Sequence, residues 1–403
     1  MSPPPILQLT HKRVLGIHLG PAQIKIAEVE RTKAGPVLQN LLWDETPAEA
    51  FVGNRIENPT ALAYAILRLL QSNKVRTKTA IATIDGNEVI GRTIVLPLMP
   101  IKELRKSILF EAEAALPSQE GNTMLDYQIL RTYKSEEDGS EGCEVLILSA
   151  PRPPLGMLTE TLLQAGLKPV AIDLTPVAAQ RAEQRTAQVQ GRGGDYILIT
   201  INDRCTDLSI VHEGHLRIIR SLPIGSINLC DAIGERHLFD TAVAVELEDR
   251  TPGGPPPEEL EVKEEKVHGE VASGYFGEDP FSSFGTEARM GYTAVAGEQD
   301  ELIKLQPLVT ELVDETLNTI RFGQSFGKQK TEVDFAVIDG YFPHGDRFIR
   351  AMADKLGLPV LKGLPLEGIQ VANPEIRTDL LDRFAPDFAV CIGLALRGVD
   401  ILS

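Results

Sequence analysis

From Val14 to Glu30 the chain reads VLGIHLGPAQIKIAEVE, with Leu15, Ile17 and Leu19 alternating against Val14, Gly16 and His18. Alternation of period two is the mark of a strand, and a second extended apolar run follows at Ile24 to Val29 after Gly20-Pro21-Ala22. The two runs are predicted to form an antiparallel hairpin. The period changes to a helical one at Pro59 to Ser72, where Leu62, Ile66, Leu69 and Leu70 share a face after a Pro-Thr start. TAIATIDGNEVIGRTIVLP then reads as strand, Asp-Gly turn, strand. KELRKSILFEAEAALP predicts a helix with Leu104, Ile108 and Ala112 on its apolar face and a stop at Pro117. The strands LDYQILRTYK and CEVLILSA, a helix over Leu155 to Ala165 and the strand KPVAIDL complete this half.

A second half opens at Asp195 with YILITIND, then TDLSIVHEGHLRIIRSLPIG, then a helix from about Ser226, whose hydroxyl is placed as an N-cap. The order repeats that of the N-terminus, which points to a duplicated fold with an α/β or α+β core and a ligand cleft between the halves. Beyond Gln299, LIKLQPLVTELVDETLNTIRFG is an amphipathic helix and VDFAVIDGY a strand. A helix over Phe348 to Leu356, a GLPV strand and a final helix, DFAVCIGLALRG, follow.

Between Glu246 and Gln299 proline, glycine and glutamate dominate, and such a segment cannot bury enough apolar surface to offset its ordering entropy. It is expected to be a disordered acidic insertion. Two readings of Tyr275, Phe276, Phe281 and Phe284 stand: parts of a solvated linker, or a short docking motif.

Composition narrows the function. A chain of 403 residues has room for two or three domains, and a net charge of −17 argues against binding a phosphate backbone. Cys143, Cys205, Cys230 and Cys391 are far apart and in no CxxC pair, as free thiols of a reducing cytoplasm would be. No apolar run approaches the ~18–20 residues that cross a bilayer, so any membrane attachment is expected to be indirect.

The ordered set GIHLGPAQIKIAEVE, FEAEAALPSQEGNTMLDYQIL, AGLKPVAIDLTPVAAQRA, TDLSIVHEGHLRIIRSLPIG and FAVCIGLALRG resembles the type IV pilus assembly protein PilM family. That family is part of the actin-like ATPase superfamily and related to the cell-division protein FtsA. The resemblance implies an actin-like (ribonuclease H-like) duplicated two-lobe fold with an inserted 1C-type subdomain. The implied division is 12–91 for the first lobe (1A, continued by 173–193 and 386–403), 92–172 for the 1C-like subdomain, 194–385 for the second lobe (2A/2B), and 246–299 for the insertion within it.

The resemblance also implies a nucleotide cleft, in which two hairpins hold phosphates by backbone N–H groups while an acid at each strand end organises magnesium. Matched to DIGSxxxK, the first hairpin has His18 at the acid position, Gly20 retained, Pro21 at the serine position without an N–H, and Lys25 at the lysine position. Matched to DIGxxxT, the second has Thr200 for the acid, Asn202 for the glycine and Thr206 retained. The adenosine turn, a GGG run in the family, is matched by Gly340-Tyr341-Phe342, whose bulky side chains are expected to crowd a base. Gly16, Gly20, Lys25, Thr206 and Gly340 are therefore read as a relic cleft, with no catalytic residue, no metal site and no cofactor; ATP, with or without magnesium, is the alternative. Asp203 is read either as the turn between two strands or, if the strand register slips, as a replacement carboxylate.

Other chemistry is thinner. His212 and His215 flank Glu213-Gly214 and read as solvated turn histidines rather than a metal pair. Glu111 and Glu113, two apart on a helix, do not make an acid pair. The resemblance implies a cytoplasmic scaffold, peripheral to the inner membrane, that holds the cytoplasmic N-terminus of a PilN-like inner-membrane protein near the 1A/1C junction. Ile94, Leu96, Leu98 and Phe110 are the partner-binding candidates. Pilus or secretion-platform subunits are further partners, with a homo-oligomeric ring or filament left open; nucleic acid and direct membrane insertion are not expected, the closing ALRGVDILS lacking a basic amphipathic character. Two alternatives remain: a working ATPase or sugar-kinase-like phosphotransferase, and a GspL-like cytoplasmic module of a type II secretion platform.

Overall fold

Three strands, β1 (Arg13–Leu19), β2 (Gln23–Thr32) and β3 (Gly35–Glu45), form an antiparallel meander at the start of the chain. A computed structural model describes them together with the rest of residues 11–85, 89–115, 122–134, 139–189, 194–234, 296–325, 332–372 and 384–399. The short strands β4 (Phe51–Val52) and β5 (Arg55–Ile56) lead to α1 (Pro59–Ser72), whose start is capped by Asn58 accepting from Ala61 N at 3.0 Å. Strand β6 (Thr79–Ile84) lies parallel to β1.

The next elements are β7 (Ile90–Pro97), α2 (Ile101–Ala115), β8 (Thr123–Lys134) and β9 (Glu141–Pro151). They make a small unit of their own, a three-stranded antiparallel sheet in the order β7-β9-β8 with α2 on one face. Leu104, Ile108 and Ala112 of the helix meet Leu96, Cys143, Val145 and Ile147 of the sheet. The hairpin predicted through Asp85 is corrected here: β6 has β1 on one edge and β10 on the other, so it has no edge left for β7, which pairs in the other sheet.

After α3 (Arg152–Gln164), β10 (Lys168–Leu174) and α4 (Thr175–Val189), the second meander begins with β11 (Asp195–Ile201), β12 (Thr206–His212) and β13 (His215–Leu222). It is followed by α5 (Ser226–Ile233), α6 (Ala296–Ser325), β14 (Val333–Gly340), α7 (Gly345–Leu356), β15 (Val360–Lys362) and β16 (Gln370–Val371). A 3-10 turn (Ala385–Phe388) runs into α8 (Ala389–Val399), dividing the final helix expected from Asp387 to Gly398.

The first large sheet has the order β10-β6-β1-β2-β3-β16 and the second β13-β12-β11-β14-β15. In both, an antiparallel meander continues from its first strand into two parallel strands. Each has its own apolar core, Leu15, Ile17, Ile26, Leu62 and Ile66 in one and Ile199, Leu208, Leu312, Ile338 and Phe348 in the other. Burial of this kind contributes roughly 1.5–3 kcal/mol per large side chain. Helix α8 lies so close to β1 that a Cβ on Gly16 would collide with the backbone at Cys391 and Ala395.

The chain divides into a unit of Met1–His237 with Leu302–Ser403 and a second of Leu238–Glu301, in which the described residues are 296–301, helical. The expected acidic insertion, with Tyr275, Phe276, Phe281 and Phe284, falls outside the described residues, apart from the start of α6. No described helix is long and apolar enough to cross a membrane.

Candidate functional site

The turns of the two leading hairpins meet. In the β1–β2 turn Gly20 N donates to Gln23 O at 3.0 Å, Pro21 has no N–H, and Thr46 donates to Gly20 O and Ala22 O at 2.6 and 3.0 Å. The two remaining donors, Ala22 N and Gln23 N, both point to one carboxylate oxygen, Oδ2 of Asp203, at 2.7 and 3.4 Å. A Cβ on Gly20 would fall onto that carboxylate.

Asp203 is 4% exposed. Its turn is held by Asn202 N donating to Cys205 O at 2.9 Å, and by Ser226 N and Ile227 N at the start of α5, which donate to Asn202 O and Asp203 O at 2.8 and 2.9 Å. The N-cap of α5 is Gly225 rather than Ser226, and the Asp203–Arg204 backbone packs where a Gly225 Cβ would stand. Asp203 is thus more than a turn residue. The strand register does not slip, Ile201 pairing with Thr206, and its carboxylate reaches the other hairpin through the turn.

Behind the turns lies a buried row of charge. Lys25, cross-strand from His18, pairs with Asp387 of the 3-10 turn. Burial works against its charge, yet Asp387 and Asp203 more than offset this and hold the ammonium protonated. Burial, with Lys25 beside it, pushes the His18 imidazole down to about 4 against the pull of Asp203, so His18 is neutral at pH 7. A neutral imidazole does not replace a hard carboxylate ligand of magnesium.

The acid missing at Thr200 has a counterpart on the next strand. Asp339 pairs in register with Thr200 and is fully buried. Burial first, and then the nearby Glu183 charge, push its carboxyl well up, against a hydrogen bond with Thr200 that works to lower it. Glu183 on α4, pushed up to about 7 by burial, accepts from Leu364 N at 2.9 Å and from Thr186 Oγ1 at 2.5 Å. Burial pushes Asp207 up to about 6, although Ser221 and Asn202 hydrogen-bond to it.

The other residues singled out from the sequence have local duties. Gly16 serves the contact of β1 with α8, and Thr206 Oγ1 donates to Ile224 O at 2.7 Å. Gly340 has φ 91°, and a Cβ there would strike the Ile201 backbone. Phe342 stacks on Phe348 at 5.3 Å between ring centroids and packs, partly buried, against the second core. His212 is half-buried and its Nδ1 lies 2.5 Å from Asp195 Oδ2, whereas His215 is exposed.

Of the partner-binding candidates, Leu98 and Phe110 are exposed, Phe110 by 71%. Leu96 is corrected: strand alternation turns it, with the half-buried Ile94, into the α2 core and brings out Val95 instead. Glu111 and Glu113 stand on α2 as expected.

Asp339, Glu183 and Asp387 were not foreseen. A carboxylate inside the apolar run VDFAVIDG and a lysine inside QIKIAEV were the available signals, since buried charges need partners or neutralisation.

A magnesium nucleotide does not fit these residues. Asp203 occupies both N–H donors of the first turn, Lys25 is committed to Asp387, and among the described residues no three His, Cys, Asp or Glu side chains converge as a metal site.

A family model described as type IV pilus assembly protein PilM matches residues 16–251. A solved structure titled as a PilM-PilN type IV pilus biogenesis complex is similar over 96% of this chain and 98% of that one, with 22% identity and a TM-score of 0.71. The ethanolamine utilization protein EutJ from Carboxydothermus hydrogenoformans matches over 97% and 92% at 12% identity and TM-score 0.47, and MreB5 of Spiroplasma citri bound to ADP over 95% and 94% at 13% and 0.40. The α/β fold is of the actin-like ATPase kind.

Proposed function

For a chain that belongs to the type IV pilus assembly protein PilM family, we propose a scaffold role: a cytoplasmic component that binds the cytoplasmic N-terminus of a PilN-like inner-membrane protein and does not hydrolyse ATP. The observation that carries the partner is the apolar surface of the β7–α2 unit. Leu98 and Ile101 at the β7–α2 corner and Leu109 and Phe110 on the outer side of α2 are exposed, beside a core already filled by Leu96, Leu104 and Ile108. Exposed apolar side chains concentrated on one small unit suit a peptide whose own side chains complete the burial. The solved PilM-PilN complex supports the choice of partner.

In this reading the two large sheets are the lobes of a duplicated actin-like fold. The first lobe is the sheet β10-β6-β1-β2-β3-β16 with α1, α3 and α8, so α3 and β10, expected in the 1C-like subdomain, and β16, expected in the second lobe, fall here instead. The 1C-type subdomain is β7, α2, β8 and β9, and the second lobe is the sheet β13-β12-β11-β14-β15 with α5 and α7. The occupied turn, the neutral His18 and the Lys25–Asp387 pair support the absence of turnover. Co-purification of the tagged chain from its own cells, with bound proteins identified by mass spectrometry, tests the role. Recovery of a PilN-like membrane protein supports it, and recovery of soluble metabolic proteins alone sinks it.

A further inference from the structure

We infer that the Asp203 carboxylate is the resident anion of the β1–β2 turn, an internal stand-in for a bound oxyanion that latches the two hairpins together without any ligand. The inference rests on the actin-like reading of the cleft but adds what occupies it. A backbone turn with two convergent N–H groups and a glycine is a site for an oxyanion, whether phosphate or carboxylate. Here Ala22 N and Gln23 N converge on one oxygen of Asp203, and Gly20 supplies the room for it.

Two further features make the occupant permanent. The Asp203 backbone carbonyl accepts from Ile227 N at 2.9 Å, so the acid stands on the start of α5. Gly225 lets that helix approach the Asp203–Arg204 backbone closely. The carboxylate also shares the field of the buried Lys25, so the Ala22 and Gln23 amides and Lys25 are all engaged already when a phosphate arrives. An anion entering the turn has to displace Asp203, and the two negative groups repel.

Hydrogen exchange at the Ala22 and Gln23 amides, with thermal unfolding, tests this in the parent chain, Asp203→Ala and Asp203→Asn. In the parent, both amides are expected to be protected without ligand, and millimolar inorganic phosphate is expected to leave the Tm where chloride of equal ionic strength puts it. In Asp203→Ala the two amides should exchange at least tenfold faster and the Tm should fall, with phosphate restoring part of both. Asp203→Asn, which keeps one acceptor oxygen and tests the point even where the alanine variant does not fold, should lie between. Unchanged protection in either variant, or a parent stabilised by phosphate as much as Asp203→Ala, would overturn the inference. A chain that behaves as expected here yet binds no partner peptide would sink the scaffold role and leave the latch standing.

Discussion

Lys25 and Asp387 are 362 positions apart in sequence and form an ion pair buried behind the first hairpin. The pair ties β2 to the turn that opens α8, and it removes the lysine from any anion in the cleft. Removing one partner of a buried pair leaves the other charge without compensation, at a cost of about 3–5 kcal/mol. Lys25→Met and Asp387→Leu are each expected to lose that much stability in denaturant unfolding, and the double variant to lose much less than their sum. Additive losses would show that the two side chains do not depend on each other.

The buried titratable groups give a pH dependence with opposing parts. Glu183, at about 7, and Asp207, at about 6, are raised above their unfolded values, so their contribution is fully present below about pH 4 and is lost as pH rises through those pKa values. His18, lowered to about 4, contributes fully above about pH 6.5 and loses that contribution as pH falls toward 4. Glu183→Gln removes one falling part. Relative to the parent, its unfolding free energy should rise between about pH 4.5 and 7, by at most about 1.4 kcal/mol per unit. A flat difference curve would show that Glu183 ionises normally.

Two glycines separate packing from propensity. At Gly16 a Cβ meets the α8 backbone, which cannot move aside cheaply, so Gly16→Ala should cost about 3 kcal/mol. Gly156, inside α3, has open space where its Cβ would go, and Gly156→Ala should gain about 0.5–1 kcal/mol. Thermal unfolding of the two variants should therefore shift in opposite directions.

On the β7–α2 unit, neighbouring apolar residues should divide by burial. Leu96→Ala opens a cavity between the sheet and α2 and should cost about 2–5 kcal/mol. Phe110→Ala removes an exposed ring and should change stability by less than about 0.5 kcal/mol. Denaturant unfolding of both variants checks this.

Much of the fold was legible because apolar periods survive in single elements. Leu62, Ile66 and Leu69 announced α1, and Leu104, Ile108 and Ala112 announced the inner face of α2. Sheet membership was not legible at Asp85, since whether β6 and β7 pair depends on β10, more than eighty residues further on, taking the edge of β6. At the site, the substitutions His18, Pro21 and Thr200 could be read locally, but their consequence could not. Asp203 acts on Ala22 and Lys25 on Asp387 across the whole chain, and only the folded arrangement brings them together. Leu96 was misassigned for a local reason, because the strand alternation that hides it also exposes Val95.

Titration of the purified chain with a synthetic peptide of the cytoplasmic N-terminus of its own PilN-like protein, followed by calorimetry, tests the scaffold role most directly. Saturable one-to-one binding is expected, weakened at least tenfold, or about 1.4 kcal/mol, by Phe110→Glu with no loss of thermal stability. No binding to the parent chain, or binding that Phe110→Glu leaves unchanged, would contradict it.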